Sequence, residues 1–297
     1  MLAIISRLKI KIISYGSGRL SHGQLWLINC KKNIVTFPVF IIFFLIFSSC
    51  EKVINIDLKK AESKYVIEAY VSNEPGDCKV HITQTVNFSD PADFPGVPGA
   101  VVTMQDDNNT PVALVETGYG MYESKDINGT EDHTYSLLVK VNGQVFTSVS
   151  QMPKQVNFDS LSIVDFRSFD GNRKFANVTF DDPSGKGNAY RFLQYKNEIL
   201  NKNIFVLNDD FTDGRINNSL LTYFDRTYEE RIETGDSIKV EMQCVDFAVY
   251  KFFSSLSQSS TGSSDNVSPG NPVSNIQGGA LGYFSAYTKQ KKIVLAK

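Results

Sequence analysis

The sequence predicts an all-β protein with one short helix, and three observations lead to this fold class. Short runs of alternating apolar and polar residues recur along the chain, which is the pattern of half-buried strands. Clusters of Gly, Pro, Asn and Asp separate these runs, as turns between strands require. Aromatic residues make up 12% of the chain and are mostly Phe and Tyr, which strands favour.

The first seven predicted strands fall within residues 64–152. They are Lys64–Asn73, Cys78–Thr85, Ala100–Gln105, Pro111–Glu116, Gly118–Ser124, Thr134–Val141 and Gln144–Ser150. A long loop rich in Pro and Gly is expected over Asn87–Gly99. Asn142 and Gly143 predict a two-residue type I′ hairpin turn between the last two strands. This density of short strands predicts an antiparallel sandwich.

Met152 and Pro153 mark a boundary, because proline cannot continue a central strand, and the strand pattern restarts after it. A second, larger antiparallel β domain is therefore predicted over residues 153–297. Its strands are Ser160–Phe166, Phe175–Phe180, Tyr190–Lys196, Asn203–Leu207, the weaker Leu220–Phe224, Ile238–Cys244, Leu281–Tyr287 and Ile293–Leu295.

Two expectations concern the last strands of this second domain. Alternation along Ile238–Cys244 predicts that Lys239, Glu241 and Gln243 face water. The polar residues Lys289–Lys292 are expected to connect the final two strands.

One helix is predicted near residues 247–258. Asp246 is a suitable N-cap, and apolar residues follow with helical spacing, at Val249, Phe252, Phe253 and Leu256. The next segment is rich in Ser, Asn, Pro and Gly, so residues 259–279 are expected to form a mobile loop that faces a ligand or a partner.

The N-terminal region carries a secretory signal. Lys31 and Lys32 precede an apolar run, Ile34–Phe47, that is too short to span a bilayer. Residues 45–50 then resemble a bacterial lipobox, which implies cleavage before Cys50 and acylation of its thiol and its new amino group. The alternative is an ordinary signal peptide or an N-terminal membrane anchor in which Cys50 is incidental.

Processing before Cys50 would remove residues 1–49 as a signal and upstream segment. Residues 50–63 would then form a lipidated tether. The upstream segment is unusually long for a signal peptide, and the sequence has no methionine between Met1 and Cys50 that would offer a later start.

Charge and cysteine content exclude several classes of function. The net charge of −2 argues against non-specific nucleic-acid binding, which needs a basic face. Cys78 and Cys244 lie on apolar faces of predicted strands, which indicates buried free thiols, although an oxidising envelope would permit a disulfide. The chain has no CxxC pair, so a zinc cage is not expected.

Several short and mutually different motifs lie downstream of the signal. They are Ser49-Cys50-Glu51-Lys52, Ile56–Leu58, Tyr65–Glu68, Val86–Asp90, Val97–Val102, Met152-Pro153, Asp159–Leu161, Asn275-Ile276, Gly278-Gly279 and Gly282–Phe284. With these motifs, Cys50–Lys297 resembles the DUF4249 family of Bacteroidetes outer-membrane lipoproteins. The resemblance implies an immunoglobulin-like first domain, a mostly-β second domain and association with a TonB-dependent transporter. It implies no reaction, because the motifs are structural.

Candidates for catalysis are few. His81 and His133 are the histidines downstream of Cys50, both are expected at the surface, and neither lies in a nucleophile motif. Paired carboxylates could serve a glycosidase, and the pairs are Asp181-Asp182 and Asp209-Asp210. Adjacent carboxylates in turns of this composition are more typical of solvated turn formers. No catalytic residue and no cofactor is therefore predicted.

Two oxygen-rich clusters are candidate cation sites. They are Asp106–Asn109 and Asn208–Asp210 with Asp213-Gly214, and neither has the spacing of an EF-hand loop. No metal ligand is predicted from them. Ser160 and Ser237 each follow an Asp and precede an aliphatic residue, a short pattern that resembles the Bacteroidetes O-glycosylation acceptor. The equally weighted alternative is that both serines simply begin strands.

The sequence thus predicts a lipid-anchored binding protein of the outer membrane, on either face, that takes no part in catalysis. Its expected role is accessory to a TonB-dependent transporter in nutrient capture, with an unknown ligand. Two alternatives stay open, an envelope hydrolase acting on glycans or peptides and a non-enzymatic adhesive or structural module.

Overall fold

The computed structural model describes residues 62–87, 94–168, 171–223, 231–261 and 270–297. Residues 60–297 form one compact unit. The predicted signal, the lipidation site Cys50 and most of the tether lie outside the described residues. So do residues 88–93 of the first predicted loop and residues 262–269 of the second.

Strands dominate the described part of the chain. They are β1 (Tyr65–Ser72), β2 (Cys78–Gln84), β3 (Val101–Asp106), β4 (Val112–Ala113), β5 (Val115–Gly118), β6 (Met121–Ser124), β7 (Thr134–Val141), β8 (Gln144–Gln151), β9 (Phe158–Ser168), β10 (Gly171–Asp181), β11 (Ala189–Lys196), β12 (Ile199–Leu200), β13 (Phe205–Asn208), β14 (Ile216–Leu220), β15 (Ser237–Val245) and β16 (Leu281–Leu295). One helix, α1 (Phe247–Thr261), is present among the described residues. The predicted all-β class with a single helix is confirmed.

Three sheets organise these strands. The largest has nine strands in the path β12-β11-β15-β16-β1-β2-β6-β5, with β13 also paired to β11. A four-stranded sheet has the order β4-β3-β7-β8, and a three-stranded sheet has the order β14-β10-β9. Because the largest sheet takes strands from both predicted domains, the two halves of the chain share one continuous hydrogen-bonded layer.

Strand β16 joins the two halves of this layer. Its residues 281–287 pair with β1 in parallel, and its residues 288–295 pair with β15 in antiparallel register. The expectation that Lys289–Lys292 is a connection is therefore wrong, and the pairing of β16 with β1 is a parallel one within largely antiparallel sheets. This polar run resembles a loop in sequence, but Lys289 is buried against Asp77, and Lys291 pairs with Glu241 while staying partly exposed.

Side chains of β16 alternate between two kinds of surroundings. The even-numbered Phe284 and Ala286 enter one apolar core, between the nine-stranded and four-stranded sheets. Val294, further along the same face, packs on a second core between the nine-stranded and three-stranded sheets. We call these two layered regions the first and the second sandwich. The division into domains at residues 152 and 153 stays a prediction, although the cores change over close to it.

Helix α1 packs on the opposite face of the nine-stranded sheet. Its Phe252 and Phe253 lie 5.0 and 4.8 Å from the ring of Tyr283, an odd-numbered residue of β16. The backbone N–H of Val249 donates to Asp246 Oδ1 at 2.9 Å, so the predicted N-cap is confirmed. The helix ends at Thr261, about one turn later than expected, so residues 259–261 do not belong to a loop.

The helix explains why Gln243 does not face water as expected, and Glu241 on the same face of β15 is also buried. This face includes Val245, which packs with the apolar residues of α1. Gln243 donates to Glu241 at 2.7 Å and accepts from Arg191 at 3.4 Å, and the Arg191 guanidinium lies 3.8 Å from the ring of Phe253. Alternation identifies the face correctly, but only tertiary packing shows that this face is covered.

Several local predictions can be compared directly with the structure. Asn142 and Gly143 both have positive φ, at 48° and 77°, as a type I′ turn requires. Cys78 and Cys244 are buried and free, as expected. The weak strand expected at Leu220–Phe224 is wrong in its bounds, since β14 ends at Leu220 and Phe224 lies outside the described residues. The polar sequence of β14 is compatible with its place at the edge of the three-stranded sheet, where it pairs with β10.

Gln194 is an exception to the usual pairing of buried polar groups. Its side chain is 1% exposed on the core face of β11, opposite Val240, and neither polar atom of its amide has a hydrogen-bond partner among the described residues. Burying an amide in this state is costly. We therefore expect Gln194→Met, which keeps the shape and removes the polar atoms, to raise the free energy of unfolding by about 1–2 kcal/mol in urea titrations.

Gln243→Met provides the matched control for this prediction. Gln243 is equally buried on the neighbouring strand, but its amide is hydrogen-bonded to Glu241 and Arg191. We expect the control to lose stability, because it leaves those two partners unsatisfied. A loss of stability in Gln194→Met of the same size would contradict the explanation.

Candidate functional site

A cleft of about 510 Å³ lies beside the junction of the two sandwiches. Asp132 and Lys154 line it from the first-sandwich side, and Asn188 and Tyr190 line it from the start of β11. Phe247, the first residue of α1, provides a half-exposed aromatic ring on a third side. The volume and the mixture of apolar and polar groups match those of small-molecule sites.

Asp246 holds the elements at the base of this cleft together. Its carboxylate accepts hydrogen bonds from the Ser150 hydroxyl of β8 and from the first turn of α1. Ser150 in turn accepts from the backbone N–H of Ala286 in β16, at 2.9 Å. Burial raises the pKa of Asp246, and these hydrogen bonds only partly oppose that effect. The residue therefore fixes the position of the helix start relative to both cores.

The rim of the cleft carries opposite charges. Lys154 Nζ lies 3.3 Å from the Asp132 carboxylate, and both side chains are mostly exposed. Exposed ion pairs of this kind contribute little to stability. They offer instead a cation and an anion to a ligand that enters the cleft.

An acidic cluster lies behind one wall of the cleft. Asp182, Asp209 and Asp213 place carboxylate oxygens within 4.8 Å of one another, and the first two side chains are buried. Burial, with the neighbouring charges of Asp209 and Asp213 also acting, raises the pKa of Asp182 despite its hydrogen bond from Tyr190. Three clustered carboxylates could hold a hard cation such as Ca²⁺.

Hydrogen bonds from the chain itself already occupy this cluster. Asp209 accepts from the backbone N–H groups of Gly187 and Asn188, at 2.8 and 2.9 Å. Asp213 accepts from the N–H of Gly185 at 2.7 Å. The carboxylates thus fix the loop between β10 and β11, and this loop forms the wall of the cleft.

The structure groups these acids differently from the sequence. Adjacency in the chain pairs Asp182 with Asp181, and Asp209 with Asp210. The fold instead adds Asp182, from the turn after β10, to Asp209 and Asp213, which share one turn and which the sequence already grouped as a candidate cation site. No local spacing signals the addition of Asp182, since it depends on the pairing of β11 with β13.

His133 and Asp106 form a second polar cluster with Asp107. His133 Nδ1 lies 2.9 Å from Asp106 and 3.6 Å from Asp107. His133 is therefore a partly exposed ion-pair partner rather than an isolated surface residue. Its ring also lies within hydrogen-bond distance of Asn108, so it has the partners of a structural histidine.

This cluster leads to a prediction about pH. The hydrogen bond with Asp106 raises the pKa of His133 above its ordinary value of 6.5. The stabilisation from the pair is therefore complete below pH 6.5 and is lost as the pH rises through the raised pKa. We expect an NMR titration of the His133 ring to show the raised pKa, and Asp106→Asn to lower it. An unchanged titration in Asp106→Asn would contradict the assignment.

The other predicted site residues lie apart from the cleft. His81 lies on the outward face of β2, with Nδ1 3.8 Å from Glu68. Ser160 is exposed within β9, while Ser237 is half-buried at the start of β15 and donates its N–H to Asn197. Both serines belong to strands, and their glycosylation stays a prediction. Cys50 lies outside the described residues.

The fold and the cleft define an all-β protein of layered sandwiches with a ligand-sized cleft at the junction of its cores. No described helix is long and apolar enough to cross a membrane. The chain belongs to the DUF4249 family, a domain of unknown function, whose model matches residues 51–293. No curated protein matches the chain.

Solved structures add little to this assignment. Sixteen of their chains match. One of them, from a structure titled "Cytokine receptor complex - Crystal form 1A", is 9% identical and covers 77% of this chain and 94% of that chain, with a TM-score of 0.23. A TM-score this low carries no argument about fold or function.

Proposed function

We propose that this DUF4249 protein is a lipid-anchored binding protein of the Bacteroidetes outer membrane, accessory to a TonB-dependent transporter in nutrient capture. The observation that carries the binding function is the cleft at the junction of the two sandwiches. The signal that ends at Cys50 supports the location, because it resembles a lipobox and precedes the family domain directly.

The construction of the cleft suits binding. Its base is fixed by Asp246, and one wall is fixed by the acidic cluster, so the cavity does not have to be ordered when a ligand enters. Lys154, Asp132 and the ring of Phe247 are left accessible on its rim. These groups favour a polar ligand with both a charged and a flat apolar part.

A lipid anchor makes such a site useful to a transporter. When both proteins are confined to one membrane, the effective concentration of each near the other rises without any new contact. The accessory role therefore needs only a modest contact surface, and it leaves the cleft free to receive the ligand.

Co-purification from native outer membranes tests the proposal. We expect mass spectrometry to find a diacylglyceryl group on an N-terminal Cys50, and a transporter β-barrel to be recovered with the chain. Cys50→Ala should release the chain from membranes. A Cys50→Ala chain that is processed and still membrane-bound would contradict the anchor.

Two variants test the role of the cleft. Ligand carried through purification should be lost in Lys154→Glu and kept in Lys202→Glu, a matched change at an exposed lysine outside the cleft. Turnover of a glycan that is lost on Asp182→Asn would favour the hydrolase alternative instead. Recovery of neither a transporter nor a ligand would favour the adhesive alternative.

A further inference from the structure

Four apolar side chains are exposed at one end of the first sandwich. Phe94, Val101, Tyr119 and Val145 expose 61, 60, 71 and 51% of their surfaces, respectively. Single exposed apolar residues are common on soluble proteins. Four of them lie at one end of this sandwich, and two of the four are aromatic. Exposed apolar groups concentrated in this way indicate a site of contact with a protein or a membrane.

Backbone contacts place the two aromatic residues beside the start of β1. The N–H of Gln84 donates to Pro95 O at 3.2 Å, which places Phe94 next to the end of β2. At this end of β2, Gln84 lies opposite Tyr65 of β1. Gly96 pairs with the same end of β2. A Cβ at Gly96 would lie 3.1 Å from the Tyr119 ring, so Tyr119 packs directly over this segment.

The two valines lie at the same end on the facing sheet. Val101 and Val145 are both opposite Lys140, on either side of it, in the exposed face of the four-stranded sheet. Asn142, in the turn next to them, donates to the Tyr65 hydroxyl at 3.0 Å. Tyr65 therefore marks the shared end of the two sheets.

The chain enters the sandwich at this end. Lys64 O accepts from the N–H of Thr85 at 2.9 Å, and the Ser63 hydroxyl donates to Thr85 O at 2.7 Å. Eleven residues separate Cys50 from Glu62. Even fully extended, a segment of this length spans only about 40 Å. The chain that would carry an acyl group on Cys50 therefore joins the sandwich at the end that exposes these apolar residues, and it can reach at most about 40 Å from there.

We infer that this end of the first sandwich rests on the phospholipid surface, with Phe94 and Tyr119 at the boundary between headgroups and acyl chains. This inference rests on the proposed lipid anchor at Cys50. Aromatic side chains favour that boundary, and Lys64 and Lys140 are exposed nearby for contact with lipid phosphates. The anchor provides the affinity, and the four apolar residues set the orientation.

This orientation has a consequence for the cleft. Gln151 and Asp132 of the cleft lie at the opposite end of β7 and β8 from the Asn142 turn. Strands of eight residues are about 25 Å long. The first sandwich would therefore act as a spacer that holds the cleft above the bilayer and points it away from the lipid.

Single tryptophans provide the test. Trp26 is the only tryptophan and lies in the segment that processing removes, so the processed chain has none. Phe94→Trp, Tyr119→Trp and the control Phe211→Trp each introduce one reporter. Phe211 is the matched control because it is an almost fully exposed aromatic residue in the acidic loop behind the cleft. Thermal melts confirm that each variant is folded.

Each lipidated variant is reconstituted into phosphatidylethanolamine–phosphatidylcholine vesicles, with and without bromine on the upper acyl chains. We expect brominated lipid to quench the fluorescence of Phe94→Trp and Tyr119→Trp at least twofold more than that of Phe211→Trp. Equal quenching in all three vesicle-bound variants would overturn the inference and leave the proposed anchor intact.

A chain with a modified Cys50 that does not bind vesicles would overturn both the inference and the proposed anchor. If this end of the first sandwich instead contacts the transporter, the reporters at residues 94 and 119 would stay unquenched in these transporter-free vesicles. That result would also overturn the inference.

Discussion

Replacing Gly282 with alanine is expected to destabilise the fold by about 4 kcal/mol or more, the largest effect that we expect from a single methyl group in this chain. Gly282 lies in β16 directly opposite Ile67 of β1. A Cβ at this position would lie 2.0 Å from the Ile67 carbonyl oxygen, and the backbone φ of +101° disfavours any L side chain. Since the obstacle is backbone, relief requires β1 and β16 to separate.

Gly279→Ala separates the clash from the backbone strain. Gly279 has a similar φ of +91°, but no atom of the described residues lies within 4 Å of the position that an added methyl group would take. We expect it to cost only about 1–2 kcal/mol, the usual penalty for a left-handed conformation. Urea titration measures both variants, and soluble yield reports Gly282→Ala if it does not fold. Equal stabilities of the two variants would contradict the close approach of β1 and β16.

Lys289→Met is expected to lower the free energy of unfolding by about 2–3 kcal/mol, because it removes a buried cation and leaves its two partly exposed acidic partners without it. The Lys289 side chain is 8% exposed, and its ammonium lies 2.5 Å from Asp77 and 2.8 Å from Glu74. These contacts join the β1–β2 turn to the middle of β16. We place the effect below the usual range for a buried pair, since Asp77 and Glu74 keep some access to water.

The same network predicts how stability depends on pH. Burial alone would raise the pKa of Asp77, but hydrogen bonds from Lys289 and Ser72 hold it below its ordinary value of 3.8. A carboxylate with a lowered folded-state pKa contributes stability above its unfolded pKa, and that stability is lost as the pH falls through the folded pKa. We therefore expect Lys289→Met to flatten the loss of stability below pH 4.

Lys291→Met is the matched control for both measurements. Lys291 lies two residues along the same strand and contacts Glu74 at 3.1 Å and Glu241 at 3.6 Å, but its own side chain is 43% exposed, and the buried Glu241 keeps its hydrogen bond from Gln243. Exposed pairs contribute less than about 1 kcal/mol, so this variant should retain most of its stability and its pH profile. Equal losses in the two variants would show that burial of Lys289 is not the source of its effect.

Local patterns predict much of the secondary structure. The hairpin of β7 and β8 is predictable because alternation and the Asn142-Gly143 turn are both encoded within about twenty residues. Helix α1 is predictable for the same reason, from its N-cap and its apolar spacing. The burial of Cys78 and Cys244 also follows from alternation alone.

The features that local patterns do not predict depend on distant contacts. Alternation alone predicts that Gln243 is exposed, but its side chain is buried. The sequence does not show that α1 covers this face of β15. The cleft has no sequence signal, since its lining comes from both sandwiches and the helix start. The exposed apolar end of the first sandwich has none either, because the segment after Phe94 reaches Tyr119 only through its pairing with β2 and its packing against Tyr119, both of which are contacts between distant residues.

By itself the sequence determined the all-β class, the helix, the hairpin turn and the family, because each of these depends on periodicity or on short motifs. Only the tertiary structure decided that β16 pairs with both β1 and β15, and that Asp182, Asp209 and Asp213 share one cluster. Strand partners and side-chain clusters are set by the burial and hydrogen bonding of residues far apart in the chain. Local sequence patterns do not identify these distant residues.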